Sequence, residues 1–313
     1  MKRVVSVSLG SSKRNHTVQA AILGEEFSIE RLGTDGDVNK AMEMIASLDG
    51  KVNAIGLGGT DLYIYAGGRR YTFRESLKLR NCAPNTPVVD GSSLKNTLER
   101  RVIKYLANEM GFSFMGKKVL MVSAVDRFGM AEALNDSGAK LIFGDLIFGL
   151  GLPVPLYSLQ ALGRVARIIA PIIVQLPIKF IYPTGKHQES SSPKFENFYQ
   201  EADIIAGDYH FIKKHMPDRL AGKIIITNTV TPGDVEDLRQ RMVDLLITTT
   251  PELSGRSFGT NVMEGVLVSL AERLPEELTS EDYEHLLDQI DFKPRVEYLN
   301  AKKSLNDSLY GGF

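Results

Sequence analysis

Six short apolar runs in the second half of the chain decide its fold class. They are Val119-Leu120-Met121-Val122, Leu141-Ile142-Phe143, Ile178-Lys179-Phe180-Ile181, Ile204-Ile205-Ala206, Ile224-Ile225-Ile226 and Leu245-Leu246-Ile247. Each has the length and the branched apolar composition of a strand buried on both faces. Helix-like segments fill the gaps between the runs. This alternation predicts an α/β protein with a Rossmann-like, doubly wound parallel sheet.

Polar residues follow these runs, and they give the first indication of function. Those with candidate roles are Ser123, Asp126, Asp145, His187, Asp208, His210, Thr227 and Asn228. In an open parallel sheet, ligands bind in the crevice outside the carboxyl ends of the strands. The sequence therefore predicts a ligand-binding crevice and favours an enzyme. His210 is a candidate general base, because a histidine there would titrate near neutral pH.

Composition limits the class of protein further. A length of 313 residues predicts two domains, and a net charge of -1 argues against a general basic surface for nucleic acid. The single cysteine, Cys82, excludes an intramolecular disulfide and a thiolate zinc cluster, which favours the cytoplasm. The start of the chain lacks the apolar core of a signal peptide. Prolines and charges interrupt the longest apolar stretches, so no membrane span is expected.

The first half of the chain is predicted to be a smaller α/β domain, residues 1–112, preceding the larger domain of residues 113–313. A hairpin is expected from residues 18–22 and 27–32, and a helix capped by Asp37 should run to Leu48. Gly67-Gly68 should turn a second hairpin. A long helix should begin at Ser92 or Ser93 and end near Gly111.

Two loops of this first half are candidate substrate-binding segments. One is Ser11-Ser12-Lys13-Arg14, and the other is Gly59-Thr60-Asp61; each follows a predicted strand. Their small residues and charges would suit one shared pocket, although two solvated turns would explain the same pattern. Asp90 and Lys95, at a strand end and the helix start after it, form a candidate acid/base pair. Lys95 is an alternative general base to His210.

The segment 116–145 has the order of a dinucleotide-binding unit: a strand, a turn, a helix and a second strand. Asp145 lies about 20 residues beyond the turn, where such a fold places a ribose-binding carboxylate. The Gly-x-Gly-x-x-Gly fingerprint is absent; only Gly129 remains, and Ser123 and Asp126 occupy the turn. Asp126 would repel phosphate unless it paired with Arg127. A carboxylate at Asp145 would favour NAD over NADP, because it would repel a 2′-phosphate.

Several residues of this segment resemble a known family. Gly116-Lys117-Lys118-Val119-Leu120, Ala131, Ala133-Leu134 and Gly138-Ala139-Lys140 resemble the opening of the cofactor domain of shikimate and quinate dehydrogenases. The whole chain also resembles bacterial proteins labelled quinate 5-dehydrogenase. This resemblance implies hydride transfer between NAD or NADP and a small hydroxylated carboxylate. The family's glycine-rich turn and its Asn-Val-Thr-x-Pro-x-Lys element are not found, so no catalytic lysine or aspartate is carried over.

A separate candidate anion site lies at Gly255-Arg256-Ser257-Phe258-Gly259-Thr260-Asn261, just before a helical run. A helix N-terminus offers free N–H groups and partial positive charge to an anion, and Arg256 would add a charge-assisted contact. Ser257 and Thr260 would add hydroxyls, and Gly255 and Gly259 would allow close approach. Asn261 and Glu264 have the spacing of a reciprocal capping pair. An ordinary capped helix is the alternative.

Three functions remain open at this point. The first is oxidoreduction of a small hydroxylated carboxylate with a nicotinamide dinucleotide. The second is a transferase or ligase acting on a phosphorylated ligand, and the third is a non-catalytic ligand-binding protein of Rossmann-like fold. A small anionic molecule is the expected partner in each case, without nucleic acid, membrane or metal. A homo-oligomer remains open.

Overall fold

The computed structural model describes residues 1–66, 69–181, 195–253, 256–257 and 259–300. Within these residues, no helix combines the length and the apolar composition that crossing a bilayer requires. The first half of the chain contains, in order, β1 Lys2–Ser8, β2 His16–Ile22, β3 Glu25–Gly33, α1 Val38–Leu48, β4 Ala54–Gly58, β5 Tyr63–Ala66, β6 Arg69–Thr72, α2 Arg74–Arg80, β7 Val88–Val89 and α3 Ser92–Asn108.

The first half forms a five-stranded sheet in the order β2-β3-β1-β4-β7, and only β2 runs antiparallel to its neighbour. The predicted hairpin of β2 and β3 is confirmed. Leu23 and Gly24, with φ of 52° and 78°, provide the two positive φ angles that a tight hairpin turn needs. The Asp37 side chain accepts a hydrogen bond from the Lys40 N–H at 3.0 Å, which confirms the predicted cap of α1.

The second half contains, in order, β8 Lys118–Met121, α4 Phe128–Asp136, β9 Lys140–Phe143, α5 Leu159–Ile173, α6 Ile178–Ile181, α7 Glu196–Glu201, β10 Ile204–Ala206, α8 Tyr209–His215, β11 Ile224–Thr227, α9 Pro232–Gln240, β12 Leu245–Thr248, β13 Glu252–Leu253, β14 Arg256–Ser257, α10 Thr260–Ala271, α11 Ser280–Gln289 and β15 Arg295–Tyr298. Its six-stranded sheet has the order β15-β12-β11-β10-β8-β9. The predicted two-domain α/β fold with a doubly wound parallel sheet is therefore confirmed.

The strand order positions the ligand crevice. If β8 is counted as strand 1, the five parallel strands have the order 2-1-3-4-5, read from β9 to β12. The direction of winding reverses between β8 and β10. Ligands of such sheets bind at this switch point, outside the carboxyl ends of the two strands. The loop after β8 contains Asp126 and Arg127, and the loop after β10 contains Asp208. These predicted site residues thus follow the two strands that form the switch point.

Two predicted elements of the second half are wrong. Ile178–Ile181 forms the short helix α6 and not a strand; Lys179 and the preceding Pro177 break the apolar pattern of a buried strand. The sixth position of the sheet is instead taken by β15, Arg295–Tyr298, which is not among the six predicted strands. It pairs antiparallel with β12, from Leu245 opposite Tyr298 to Thr248 opposite Arg295. An edge strand with one solvated face lacks the continuous apolar run of a buried strand.

Each half of the chain supplies one helix that packs on the sheet of the other half. The buried face of α3 lies in the same hydrophobic cluster as the strands of the second sheet, through Leu94, Leu98 and Val102. In return, α10 packs on the first sheet, where Val262 and Val266 contact the cluster of Val4 and Ala54. Each half thus supplies one helix to the core of the other, and the division into domains at residue 112 stays a prediction.

Candidate functional site

A crevice of about 190 Å³ lies between the two halves. Loops at the carboxyl ends of strands in both sheets line it, together with the first residues of α10. It collects most of the residues that the sequence singled out: Arg14, Gly59, Thr60, Asp61, Asp90, Lys95, Asp126, Arg127, Asp208, His210, Asn228, Gly259 and Thr260. The structure thus brings these residues of both halves together at one crevice, and their catalytic and binding roles stay predictions.

Lys95 is the central cation of the crevice. The first turn of α3 places its ammonium 3.1 Å from Asp61 Oδ1 and 2.8 Å from Asp126 Oδ1. Burial alone would lower the pKa of Lys95, but the charges of Asp126 and Asp61 outweigh burial and raise that pKa above its usual value. Lys95 is therefore a firmly protonated cation that holds two carboxylates in place.

Burial raises the pKa of two carboxyl groups near Lys95, those of Asp126 and Asp90. Burial, and after it the charge of Asp61, raises the pKa of Asp126 to about 7 in spite of the contact with Lys95. Burial and Asp61 also raise the pKa of Asp90. Asp90 does not form the predicted acid/base contact with Lys95; its carboxylate instead accepts from the N–H groups of Leu62 and Ser92. Asp90 thus fixes the start of α3, and Asp126 is the carboxyl group that contacts Lys95.

Arg127 forms a second buried ion-pair cluster at the edge of the crevice. Its guanidinium contacts Glu99 of α3 and lies 3.3 Å from Asp208 Oδ2. The side chains of Arg127 and Glu99 are 2% and 1% exposed. Arg127 does not form the ion pair with Asp126 that would have offset the repulsion of a phosphate, because α3 presents Lys95 to Asp126 and Glu99 to Arg127. Glu99 was not predicted as a site residue, because a glutamate within a long helix is usually exposed to solvent.

Asp208 and His210 begin α8 beside this cluster. Asp208 Oδ1 accepts from the His210 N–H at 2.9 Å, and Oδ2 accepts from Asn228 Nδ2 at 2.7 Å. Burial alone would raise the pKa of Asp208, but His210 and Arg127 lower it below its usual value. Burial lowers the pKa of His210, so its imidazole is neutral at pH 7. His210 therefore has the protonation state that a general base needs, and its catalytic role stays a prediction.

Three basic side chains of the first half line the crevice: Arg14, His16 and Arg31. Arg31, on β3, donates to Ser11 O at 3.1 Å and to Ser8 Oγ at 3.0 Å, which directs the side chain across the carboxyl end of β1. Of these three side chains, only Arg14 was predicted from the sequence to lie at the site. The alternation of β3 places Arg31 on one face of the strand, but the sequence does not tell which other strand end that face meets.

Some predicted residues do not line the crevice. Ser12 and Lys13 belong to a helical turn, Ser12–Arg14, and Ser11 caps it, since the Ser11 hydroxyl accepts from the Lys13 N–H. Thr227 Oγ1 donates to Gly207 O at 2.8 Å, and Ser123 Oγ accepts from the Asp208 N–H at 3.3 Å. Gly129 allows α4 to approach α3 closely, since a Cβ there would lie 2.8 Å from Asn96 O. These residues shape the loops around the crevice.

Asp145 binds the backbone of the turn after β8, whereas the sequence predicted that it would contact a ribose. Its Oδ1 accepts hydrogen bonds from the N–H groups of Ala124 and Val125, at 2.9 and 2.8 Å. These N–H groups belong to the turn after β8, where a dinucleotide fold offers its backbone to a pyrophosphate. The carboxylate of Asp145 therefore occupies the place of an anion at this turn, and Asp145 does not line the crevice. Burial raises its pKa to about 6.

The predicted anion site is only partly described. Gly259 and Thr260 line the crevice at the start of α10, whereas Gly255 and the side chains of Arg256 and Ser257 lie outside the described residues. The role of Arg256 as an anion contact accordingly stays a prediction, and His187 also lies outside the described residues. Within the parts of the chain that are described, no three histidine, cysteine or carboxylate side chains cluster as metal ligands.

The predicted capping pair of Asn261 and Glu264 is wrong. The helix begins at Thr260, two residues earlier than a cap at Asn261 requires, and Gly259 is its N-cap. Asn261 Nδ2 donates to Ser6 Oγ at 2.8 Å, and Glu264 accepts from the Gly91 N–H at 2.6 Å and from the Tyr283 hydroxyl at 3.0 Å. Both side chains bond to other elements and not to the backbone of their own helix. They can do so because α10 packs against the first sheet and against α3.

Replacing Glu264 by Gln should flatten the dependence of stability on pH. Burial, and after it the charge of Asp90, raises the pKa of Glu264 to about 8. Stability from such a group is fully present below its unfolded pKa and is lost as pH rises through the folded pKa. Gln cannot ionise, so the variant should match the wild type near pH 4.5 and exceed it at pH 9 by roughly 1 kcal/mol or more. Urea unfolding across this range measures the difference, and parallel curves would contradict it.

Comparisons with known proteins place the chain in a family. Residues 93–299 match the family described as domain of unknown function DUF8754, and residues 3–90 match domain of unknown function DUF8753. The first match covers more than half of the chain, so the chain belongs to that family. No curated protein matches it.

Solved structures show only a distant likeness. A galactofuranose-binding protein is 13% identical over 99% of this chain and 97% of its own, with a TM-score of 0.39. The glutamate dehydrogenase of Thermus thermophilus, in its Leu-bound form, is 11% identical over 93% and 74%, with a TM-score of 0.42. GanP, a glucose-galactose binding protein from Geobacillus stearothermophilus, is 9% identical over 95% and 97%, with a TM-score of 0.37. These TM-scores are too low to establish a common fold.

Proposed function

We propose that this chain is a ligand-binding protein whose crevice takes a small hydroxylated carboxylate. The observation that carries the proposal is the lining of the crevice, where carboxylates held by buried cations lie together with Arg14 and Arg31. Fixed carboxylates accept hydrogen bonds from hydroxyl groups, and arginines bind a carboxylate with two parallel hydrogen bonds. A molecule that carries both groups, such as quinate, complements this lining.

The size of the crevice supports a small ligand. Its volume of about 190 Å³ is below the roughly 300 Å³ at which pockets for drug-sized molecules begin. A dinucleotide is larger than such molecules, and at the turn after β8 the carboxylate of Asp145 would have to leave before a pyrophosphate could bind. The proposed NAD or NADP site and the hydride transfer that depends on it are therefore the less favoured function. They rest on the resemblance to quinate and shikimate dehydrogenases.

The first residues of α10 add a further contact for an anion. Gly259, Thr260 and Asn261 line the crevice, and the first N–H groups of a helix favour negative charge. Arg14 and Arg31 belong to the first half, whereas Asp126 and Asp208 belong to the second half. A ligand with its carboxylate towards the arginines and its hydroxyls towards the aspartates would bridge the two halves.

The predicted cytoplasmic location and the homo-oligomer stay predictions.

Calorimetric titration with quinate tests this function in three variants. Arg31→Gln should weaken quinate binding about tenfold to a hundredfold, since a hydrogen bond between charged groups contributes about 1.5–3 kcal/mol. Asp126→Asn should weaken it less, because Asn keeps one acceptor oxygen. Arg3→Gln is the matched control: Arg3 pairs with Glu30 outside the crevice, so its loss should leave affinity unchanged. The proposal fails if quinate does not bind, or if folded Arg31→Gln and Arg3→Gln bind it equally.

A further inference from the structure

A second cavity of about 470 Å³ lies on the other side of the start of α3. The β5–β6 hairpin, α3, the start of α4 and residues 275–283 enclose it. Its volume is in the usual range for small-molecule sites. Asp90 lines both this cavity and the crevice, but the other residues of the two linings differ. The cavity is therefore separate from the site of the proposed function.

The hairpin gives this cavity an aromatic wall that already holds a cation. Tyr63 and Tyr65 are two residues apart on β5 and so lie on the same face of the strand. The guanidinium carbon of Arg70, on β6, lies 4.4 Å from the centre of the Tyr63 ring. A cation within about 6 Å of a ring centre is attracted by the negative face of the ring. Because Arg70 is an exposed residue of the same hairpin, it can leave the ring without breaking a buried contact.

Apart from Arg70, the ionisable side chains of the described lining are carboxylic acids and Tyr residues, and Ser and Asn residues add neutral polar groups. Asp90, Glu132, Glu264 and Glu276 line the cavity, and Arg70 is the one basic residue among its described lining. Glu132 and Glu276 pair with Arg100 and Arg80, which lie outside the lining. Apolar side chains, among them Phe128 and Leu278, complete the wall. Burial raises the pKa of Glu264 to about 8, so this carboxyl group is largely protonated at pH 7, and Arg100 and Arg80 balance the charges of Glu132 and Glu276. The carboxyl groups still accept hydrogen bonds, and together with the aromatic and apolar wall they suit a cation on a short aliphatic chain.

We propose that this cavity binds an organic cation, a guanidinium or ammonium group on an aliphatic chain, with the cationic group over the Tyr63 ring in the place that Arg70 occupies. The two cationic groups then compete for one ring face. This competition leads to an unusual expectation: removing a basic residue from the lining should strengthen the binding of a cation.

Calorimetric titration with agmatine at pH 7 tests the proposal. Arg70→Ala should bind agmatine about threefold to thirtyfold more tightly than the wild type, in line with the strength of a cation–π contact. Arg69→Ala is the matched control, since neighbouring residues of a strand point to opposite faces. It should leave the affinity unchanged. Tyr63→Ala should weaken binding by a similar factor, whereas Tyr63→Phe, which keeps the ring, should not.

Three results would overturn the proposal. The first is no heat of binding from agmatine with either the wild type or Arg70→Ala. The second is equal or weaker binding by Arg70→Ala, which is an exposed substitution that should not affect folding. The third is equal binding by butylurea, a neutral molecule of similar shape, because the site would then not select for charge.

Discussion

Replacing Arg127 by Met should lower the free energy of unfolding by about 3–5 kcal/mol at pH 7. The substitution leaves Glu99 buried without its cation, and the side chain of Glu99 is 1% exposed. Burial already raises the pKa of Glu99 despite the neighbouring Arg127. Without Arg127 this carboxyl group must either bind a proton or remain charged in an apolar core. Denaturation by guanidinium chloride measures the loss.

A double variant distinguishes the buried charge from a general packing effect. Arg127→Met with Glu99→Leu removes both charges, and a buried ion pair replaced by apolar residues is often neutral or stabilising. The double variant should therefore recover most of the stability lost by Arg127→Met. Arg101→Met is the surface control: its partners Glu284 and Asp288 are 40% and 65% exposed, so it should cost about 1 kcal/mol or less. Equal losses in Arg127→Met and Arg101→Met would contradict this account of the buried pair.

Replacing Lys95 by Met should cost a similar amount, about 3–5 kcal/mol, but only at higher pH. Asp126 would then face Asp61 without a cation, so the pKa of Asp126, which burial already raises, would rise further. A raised carboxyl pKa gives stability that is complete below the unfolded pKa and is lost as pH rises through the folded pKa. The deficit of Lys95→Met relative to the wild type should accordingly be small at pH 4 and should grow steadily to pH 8.

Adding Asp126→Asn to Lys95→Met provides the control for this prediction. It removes one of the two facing carboxyl groups, so the double variant should be more stable than Lys95→Met at pH 8 and should show a weaker pH dependence. Unfolding by urea at several pH values measures both. A deficit of Lys95→Met that stays constant from pH 4 to pH 8 would show that Lys95 contributes packing and not charge.

The fold was largely predictable from local patterns. The runs at residues 119–122, 204–206 and 224–226 are strands because each is apolar on both faces. Polar residues at their carboxyl ends meet at the crevice because parallel strands end at the same edge of a sheet. Ile178–Ile181 and β15 were predicted wrongly for two different physical reasons. A four-residue apolar run does not distinguish a helix from a strand, and an edge strand carries no strong apolar signal.

The contacts within the crevice were less predictable than its residues. Lys95, Arg127, Asp61 and Asp208 were each singled out, yet the pairs that they form were not predicted, because the partners come from distant parts of the chain: Asp61 lies 34 residues from Lys95, and Asp208 lies 81 residues from Arg127. Glu264 was expected to cap its own helix, and it instead binds Gly91 and Tyr283. Local spacing predicts local bonds, and it cannot show that α3 and α10 each pack on the sheet of the other half.

The proposal that the crevice takes a small hydroxylated carboxylate and not a dinucleotide is tested most directly by one calorimetric experiment on the wild-type protein. Quinate is titrated to saturation, and NAD is then added to the same cell. We expect a saturable heat of binding from quinate. We expect no heat beyond that of dilution from NAD, because Asp145 already accepts hydrogen bonds from the N–H groups of Ala124 and Val125. Saturable binding of NAD, with or without quinate, would contradict the account and would restore the dehydrogenase function that the sequence resemblance implies.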